Sequence, residues 1–268
     1  MHIHFLDPYR PLNSPIHSMD SRIKFILAVA FVLTTSLTPV AAWPVYIFLL
    51  TLVISIGIVS DLGIGFILKR SMLALPFLLA AFPIIFTIKG QDIFNLSVGP
   101  WLLTASYQGV ERFLSIALKS WLSIQAAIIL AASTRFPDLL QAMQAVGIPR
   151  LLVGMFGLMW RYLFVLADEA LRLMRARIAR SGHNADQGRK YGGNLSWRIR
   201  MTGGMAGNLF LRAYERSDRI YVAMLSRGYD GEMRSLPLTP FTGLNWLILI
   251  MNLIVLCLLL IIGNLFWS

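Results

Sequence analysis

Apolar and polar residues fall into long blocks along this chain. Between Lys24 and Asp61 lie 36 residues without a charged side chain, well beyond the ~20 that one membrane-crossing helix requires. Near the middle stands TSLTPVAAWP, where Pro39 and Pro44 bracket a break, because proline lacks a backbone donor and restricts its predecessor. The block therefore predicts two helices, 22–37 and 43–60, joined by a short hairpin. A third apolar helix is predicted over 71–88, with Pro76 and Pro83 near one face, where neighbouring helices can satisfy the freed backbone groups. A longer polar link, KGQDIFNLSVGPWLLTASYQG, leads to a fourth helix over 110–132. It carries Glu111 and Arg112 at its start and Lys119 inside, a lysine expected to snorkel or face a partner. Arg234 is the final charge. The apolar helix 245–268 follows, with Trp246 and Trp267 near its ends as interfacial anchors.

Between Thr134 and Arg234 the pattern turns amphipathic. FPDLLQAMQAVGIP opens with a Pro-Asp helix start and closes at Gly147 and Pro149. A longer helix then runs to about Ser181. At roughly 100° per residue, Met155, Met159, Tyr162, Leu166, Ala170 and Leu173 share one stripe, with Arg161, Asp168, Arg172 and Arg175 opposite. Glu169 sits at the stripe's edge, and Arg177 and Arg180 land on the stripe side in the last turns. A Gly-rich link, SGHNADQGRKYGGN, precedes a helix ending at Arg227. There Leu209, Phe210, Ala213, Ile220 and Met224 form an apolar arc, opposite Arg212, Glu215, Asp218 and Arg219.

Composition sets the solvent. The 268 residues are 57% hydrophobic and 14% charged, with a mean hydropathy of +0.67, against about 25% charged in ordinary soluble domains. The fold class is an all-α integral membrane protein, with about five transmembrane helices and a cytoplasmic or interfacial segment of amphipathic helices. The regions are 1–133 (a short cytoplasmic segment and four crossings), 134–234 (the amphipathic segment) and 235–268 (the last crossing). Of the 24 Lys and Arg residues, fourteen lie between Arg161 and Arg234, against seven of the 13 acids. Cations flanking apolar spans mark the cytoplasmic side, so the N-terminus and this segment are expected in the cytoplasm and the C-terminus outside. Residues 151–167 are apolar apart from Arg161, but a crossing there would export the cationic stretch, so they are expected at the cytoplasmic surface. The charge thus points to the lipid bilayer and to no nucleic acid. The first 22 residues hold three prolines and two aspartates, so no cleavable signal peptide is expected.

Candidate chemistry is sparse. No lysine follows a glycine, so there is no phosphate-cradling P-loop. His2 and His4 make a poor metal site on a terminal tail, and Cys257 stands alone in an apolar run. No catalytic residue, cofactor or metal site is expected. What stands out is that two helices end alike. Ala179-Arg180-Ser181, followed by Gly182, and Ser226-Arg227-Gly228 each place small residues around an arginine and then a glycine. Glycine permits a left-handed turn, and the cation complements the negative end of the helix dipole. Two such tips in one cytoplasmic segment point further, to docking: small residues admit a partner surface, and the arginine can form a charge-assisted bond to a partner carboxylate.

With these residues in view, the chain resembles the transmembrane coupling (T) component of energy-coupling factor transporters, most closely the cobalt-type CbiQ. The resemblance is carried by DSRIKFILA, FPDLLQAMQAVGIP, WRYLFVLADEALRLMRARIARSG and AMLSRGYDGE. It places the family's two Ala-Arg-Gly-type coupling motifs on residues 179–181 and 226–228, each with one small-for-small replacement. It implies a subunit that joins two cytoplasmic CbiO-type ATPases to a CbiM-type substrate-binding membrane subunit, and a small CbiN-type accessory subunit as a further partner. Nickel or a vitamin is the alternative cargo. A self-contained secondary transporter or channel is the alternative class, one that would place ionisable residues or broken inverted repeats within the spans.

Overall fold

Asp20 begins the membrane bundle: its carboxylate accepts the Arg22 backbone N–H at 3.0 Å and caps helix α2 (Ser21–Leu37), satisfying one of the donors that a helix start leaves open. A one-turn helix, α1 (Pro15–Ser18), precedes it. The computed structural model describes residues 8–88, 91–98, 101–180, 194–231 and 241–267, with the backbone alone over 92–98 and 101–105. Helix α3 spans Trp43–Val59. The turn between α2 and α3 places Ala41 at φ 72° and is tied by the Tyr46 hydroxyl donating to the Pro39 carbonyl at 2.9 Å.

The third apolar region starts earlier than its sequence indicates. Helix α4 (Ile64–Ser71), a 3-10 turn at Met72–Ala74, α5 (Leu75–Ala81) and α6 (Ile84–Thr87) form an interrupted run. Lys69 and Arg70 lie inside α4, where the Arg70 guanidinium sits 4.8 Å from the centre of the Phe66 ring. An aromatic face and a flexible stem let a cation ride within an apolar helix, so these charges do not mark its border. Pro76 falls in the first turn of α5, where its missing N–H costs nothing. The polar link contains a hairpin, β1 (Asp92–Val98) against β2 (Trp101–Ser106), antiparallel. Among the described residues the other regular elements are helices.

Helix α7 (Tyr107–Ser133) is the centre of the bundle, packing against α2, α3, α4, α5 and α6. Helix α8 is Phe136–Ala145 and α11 is Gly243–Trp267. Leu49, Val53, Leu122, Ile129 and Leu256 form the core with Phe31 and Tyr46. Polar groups within it are satisfied locally: Thr34, Thr35 and Thr38 donate to the carbonyls four residues back, and Trp121 Nε1 donates to Ser71 Oγ at 3.0 Å. Lys119, expected to snorkel or to face a partner, donates from Nζ to the Ser36 carbonyl at 3.0 Å. Grouped by sequence with the cationic segment, α8 packs here against α2, burying Leu140 and Ala142.

Cations gather at one end of the bundle, where α2 begins and α7 ends. Lys24 Nζ donates to the carbonyls of Ser133 (3.1 Å) and His17 (3.4 Å), and Arg10 stacks 3.7 Å from the Phe66 ring centre. His17 meets Ser14 Oγ at 2.7 Å, and burial, with the Lys24 charge behind it, lowers its pKa. Lys24→Met deletes both charged donations and is expected to cost about 1.5–3 kcal/mol, seen as a lower thermal midpoint of the detergent-purified chain.

Among the described residues, four helical runs are long and apolar enough to cross a membrane: Ile64–Thr87, Tyr107–Ser133, Arg150–Arg180 and Gly243–Trp267. Helices α2 and α3, at 17 residues each, match the lower end of the spanning range. This is a multi-pass membrane protein. Its chain forms two compact units, one of Pro8–Val146 with Leu238–Ser268, the other built on Gly147–Pro237.

Candidate functional site

The second unit holds two long helices, α9 (Arg150–Arg180) and α10 (Leu195–Leu225), of 31 residues each. The first half of α9 is apolar apart from Arg150 and Arg161 and exposes Leu151, Met155, Phe156 and Met159; its other charges lie in the second half. Along α10 the half-buried positions are Met205, Leu209, Ala213, Arg216, Ile220 and Met224, the three-and-four spacing of one helix face. Most of the arc expected from sequence lies on it, but Phe210 is exposed and Arg216 takes a place among the apolar side chains.

Two sets of contacts fix how α9 and α10 run. Glu169 accepts from Arg212 Nη1 through Oε1 at 3.3 Å and from Arg216 Nη2 through Oε2 at 3.2 Å. Toward the end of α9, Arg177 Nη1 donates to Thr202 Oγ1 at 3.3 Å and its guanidinium lies 5.7 Å from the Trp197 ring centre. Later residues of α9 thus meet earlier residues of α10, so the pair is antiparallel. The cross-helix role of Glu169, Arg212, Arg216 and Arg177 was not legible in sequence. The signal that could have found it is an acid at the edge of an apolar stripe, together with Arg177 on the stripe side.

This pairing positions both arginine tips. Arg180 closes α9 one turn beyond Arg177, beside the start of α10, whereas Arg227 stands just past the other end of α10. The stretch from Thr202 to Arg227 spans ~40 Å at 1.5 Å per residue, so the tips are held far apart. Ala179, Arg180, Ser226, Arg227 and Gly228 are all exposed, and neither guanidinium forms a hydrogen bond or ion pair with another described residue. Ser181 and Gly182 lie outside the described residues, as do His2, His4 and His183. Among the described residues no three His, Cys, Asp or Glu side chains gather as a metal site would require.

The second tip has the cap its sequence suggests. Gly228 adopts φ 80°; its N–H donates to the Leu225 carbonyl at 2.9 Å, and the Tyr229 N–H reaches back to Met224 at 3.1 Å. That is a Schellman ending with Gly228 at the left-handed position and Arg227 at the cap, which fixes where the arginine leaves the helix. Gly228→Ala is expected to cost about 1–2 kcal/mol and to lower the thermal midpoint. Gly228→Asn, which tolerates this conformation, should keep most of it.

Comparison with known proteins agrees with this frame. Residues 12–239 match the model of the CbiQ family, described as cobalt transport protein. The energy-coupling factor transporter transmembrane protein EcfT of Thermosediminibacter oceani is 27% identical over 83% of this chain and 83% of its own. The cobalt transport protein CbiQ of Rhodobacter capsulatus is 28% identical over 68% of this chain and 71% of its own. The putative fused cobalt transport protein CbiMQ of Methanocorpusculum labreanum is 22% identical over 86% of this chain and 37% of its own. The matched span begins before α1 and ends beyond the second arginine tip, so the chain belongs to the CbiQ cobalt transport protein family.

Proposed function

We propose that this chain is the transmembrane coupling subunit of an ATP-driven cobalt uptake transporter of energy-coupling factor type. As a member of a membrane transport family it works by binding and moving, and ATP is hydrolysed in two CbiO-type partner chains. Arg180, with Ala179 and Ser181, seats one ATPase, and Arg227, with Ser226 and Gly228, seats the other. The bundle holds a CbiM-type substrate-binding subunit, with a CbiN-type subunit as an accessory. The observation that carries this reading is the pair of exposed arginines at opposite ends of α10, neither bonded to another described residue. Tips ~40 Å apart suit two separate grooves rather than one.

Force follows from the same geometry. The Glu169 and Arg177 contacts join α9 to α10, so movement of one tip is passed to its partner helix through hydrogen-bonded side chains rather than through a loop. When nucleotide binding draws the ATPases together, each arginine is carried with its groove, and the helix pair passes that motion to the membrane partner. The cations at the start of α2 and the end of α7 support a cytoplasmic N-terminus, with residues 151–167 at the cytoplasmic surface and the C-terminus outside. Copurification tests the assignment. Co-expression with a cognate ATPase pair and CbiM-type subunit should yield one complex with ATP-dependent cobalt uptake. Uptake of the ion by the lone chain would replace this reading with a carrier.

A further inference from the structure

A groove of about 330 Å³ opens between α9 and α10, lined by Arg212 and Arg216 from α10 and by Glu169, Arg172 and the apolar Val165 and Leu173 from α9. We propose that this groove binds the phosphate headgroup of an anionic membrane phospholipid. The inference stands apart from the coupling role of Arg180 and Arg227, since it uses neither residue.

Charge comes first. Three guanidinium groups accompany one carboxylate, an excess of two positive charges in a groove that the apolar Val165, Leu173 and Ala176 also line. Glu169 takes a single hydrogen bond from each of Arg212 and Arg216. A guanidinium carries five N–H donors, so most of the fork on each arginine stays free for a phosphate, the anion whose geometry it matches. Arg172 brings a third fork from the opposing helix, and no carboxylate other than Glu169 lines the groove.

Depth selects the lipid. Along α9, the stretch from Leu151 to Ala167 has one charge, and from Asp168 onward charged residues come every few positions. The groove straddles that change, with Val165 on the apolar side and Arg172 on the charged side. Toward the start of α9, Leu158 and the exposed Leu151 follow Arg172 and Val165 at steps of seven residues on the same helix face, and offer an acyl chain an apolar surface leading from the groove. Phosphate at the charged step and hydrocarbon along the apolar half is the layout of a phospholipid at the inner surface, where basic pockets between helices hold anionic headgroups.

The test is native mass spectrometry of the full-length chain in detergent, titrated with phosphatidylglycerol or phosphatidylcholine. The wild type should retain phosphatidylglycerol in preference to phosphatidylcholine. Arg172→Gln, which leaves both Glu169 contacts intact, should weaken phosphatidylglycerol binding about five-fold, and the triple Arg→Gln variant by more. Glu169→Gln removes the competing negative charge and should tighten it. Equal retention of the two lipids by the wild type overturns the proposal, as does unchanged affinity in both Arg172→Gln and Glu169→Gln. Displacement of the lipid by millimolar inorganic phosphate would assign the groove to a free anion. The same variants are also copurified with co-expressed ATPase chains: variants that keep lipid but lose those chains would assign the groove to an acidic protein surface, and either result overturns the lipid reading.

Discussion

Arg180→Ala combined with Arg227→Ala is expected to abolish ATP-driven cobalt uptake while leaving the chain folded and in the membrane. Both side chains are exposed and form no hydrogen bond or ion pair with another described residue, so their removal strands no buried group. The loss falls on the partner. Truncating one side of a buried, hydrogen-bonded charge pair costs about 2–5 kcal/mol, so each single variant should weaken its ATPase contact at least ~30-fold. The tips are ~40 Å apart by helix rise and share no contact. Their effects on ATPase association should therefore add, as they do for sites separated by more than about 10 Å. Arg→Lys keeps the charge but loses the planar fork and should fall between. The measurements are transport by reconstituted complex and retention of the ATPase chains on affinity purification.

The second large effect is structural and runs against the usual sign. Replacing a helical glycine by alanine normally stabilises a helix by about 1 kcal/mol, yet Gly109→Ala should destabilise this protein. A Cβ at Gly109 would lie 2.6 Å from the Ile85 carbonyl oxygen and 2.9 Å from Ser106 Oγ. The first of these is backbone and cannot rotate away. The second is the cap of α7, which accepts the Gly109 N–H at 3.1 Å and donates to the Ile88 carbonyl. One methyl group therefore forces α6 away from α7 and breaks the cap, for about 1–3 kcal/mol of overpacking and about 1 kcal/mol of capping. The thermal midpoint should fall by several degrees. Gly203→Ala, in an open stretch of α10 where a new Cβ meets nothing within 4 Å, should not lower it.

These two sites differ in how far the sequence exposes them. The arginine tips are legible because capping is local: Ser226-Arg227-Gly228 contains the cation, the left-handed residue and the small neighbour within three positions. The α6–α7 contact at Gly109 depends on two elements meeting, and no local pattern announces it. The same divide runs through the fold. Apolar blocks bounded by prolines or by charged residues locate α2, α3, α7 and α11 to within a few residues. Charge usually marks a membrane edge, which puts the start of the third helix after Lys69 and Arg70, at residue 71; the Phe66 ring beside Arg70 lets the helical run begin earlier, at Ile64. The β1–β2 hairpin was missed in a link judged polar, although Asn95, Leu96, Ser97 and Val98 alternate in strand fashion before Gly99-Pro100. For α8 the amphipathic pattern indicates that one face is buried and is silent on its partner, which proves to be α2. Glu169 looked like an irregularity of a helical stripe; the structure makes it the meeting point of α9 and α10. Periodicity reports which faces are covered, and only packing reports by what.

The central claim is that each arginine tip sits in its own ATPase. Photo-crosslinking tests it most directly, with a photoreactive residue placed at position 180 in one sample and at 227 in another. Both probes are introduced into the otherwise intact chain, co-expressed with its ATPase and membrane partners. Both positions should yield adducts to nucleotide-binding chains, with a probe on the opposite, charged face of α10, such as Glu215, giving none. Adducts to lipid or solvent alone at 180 and 227 would contradict the account.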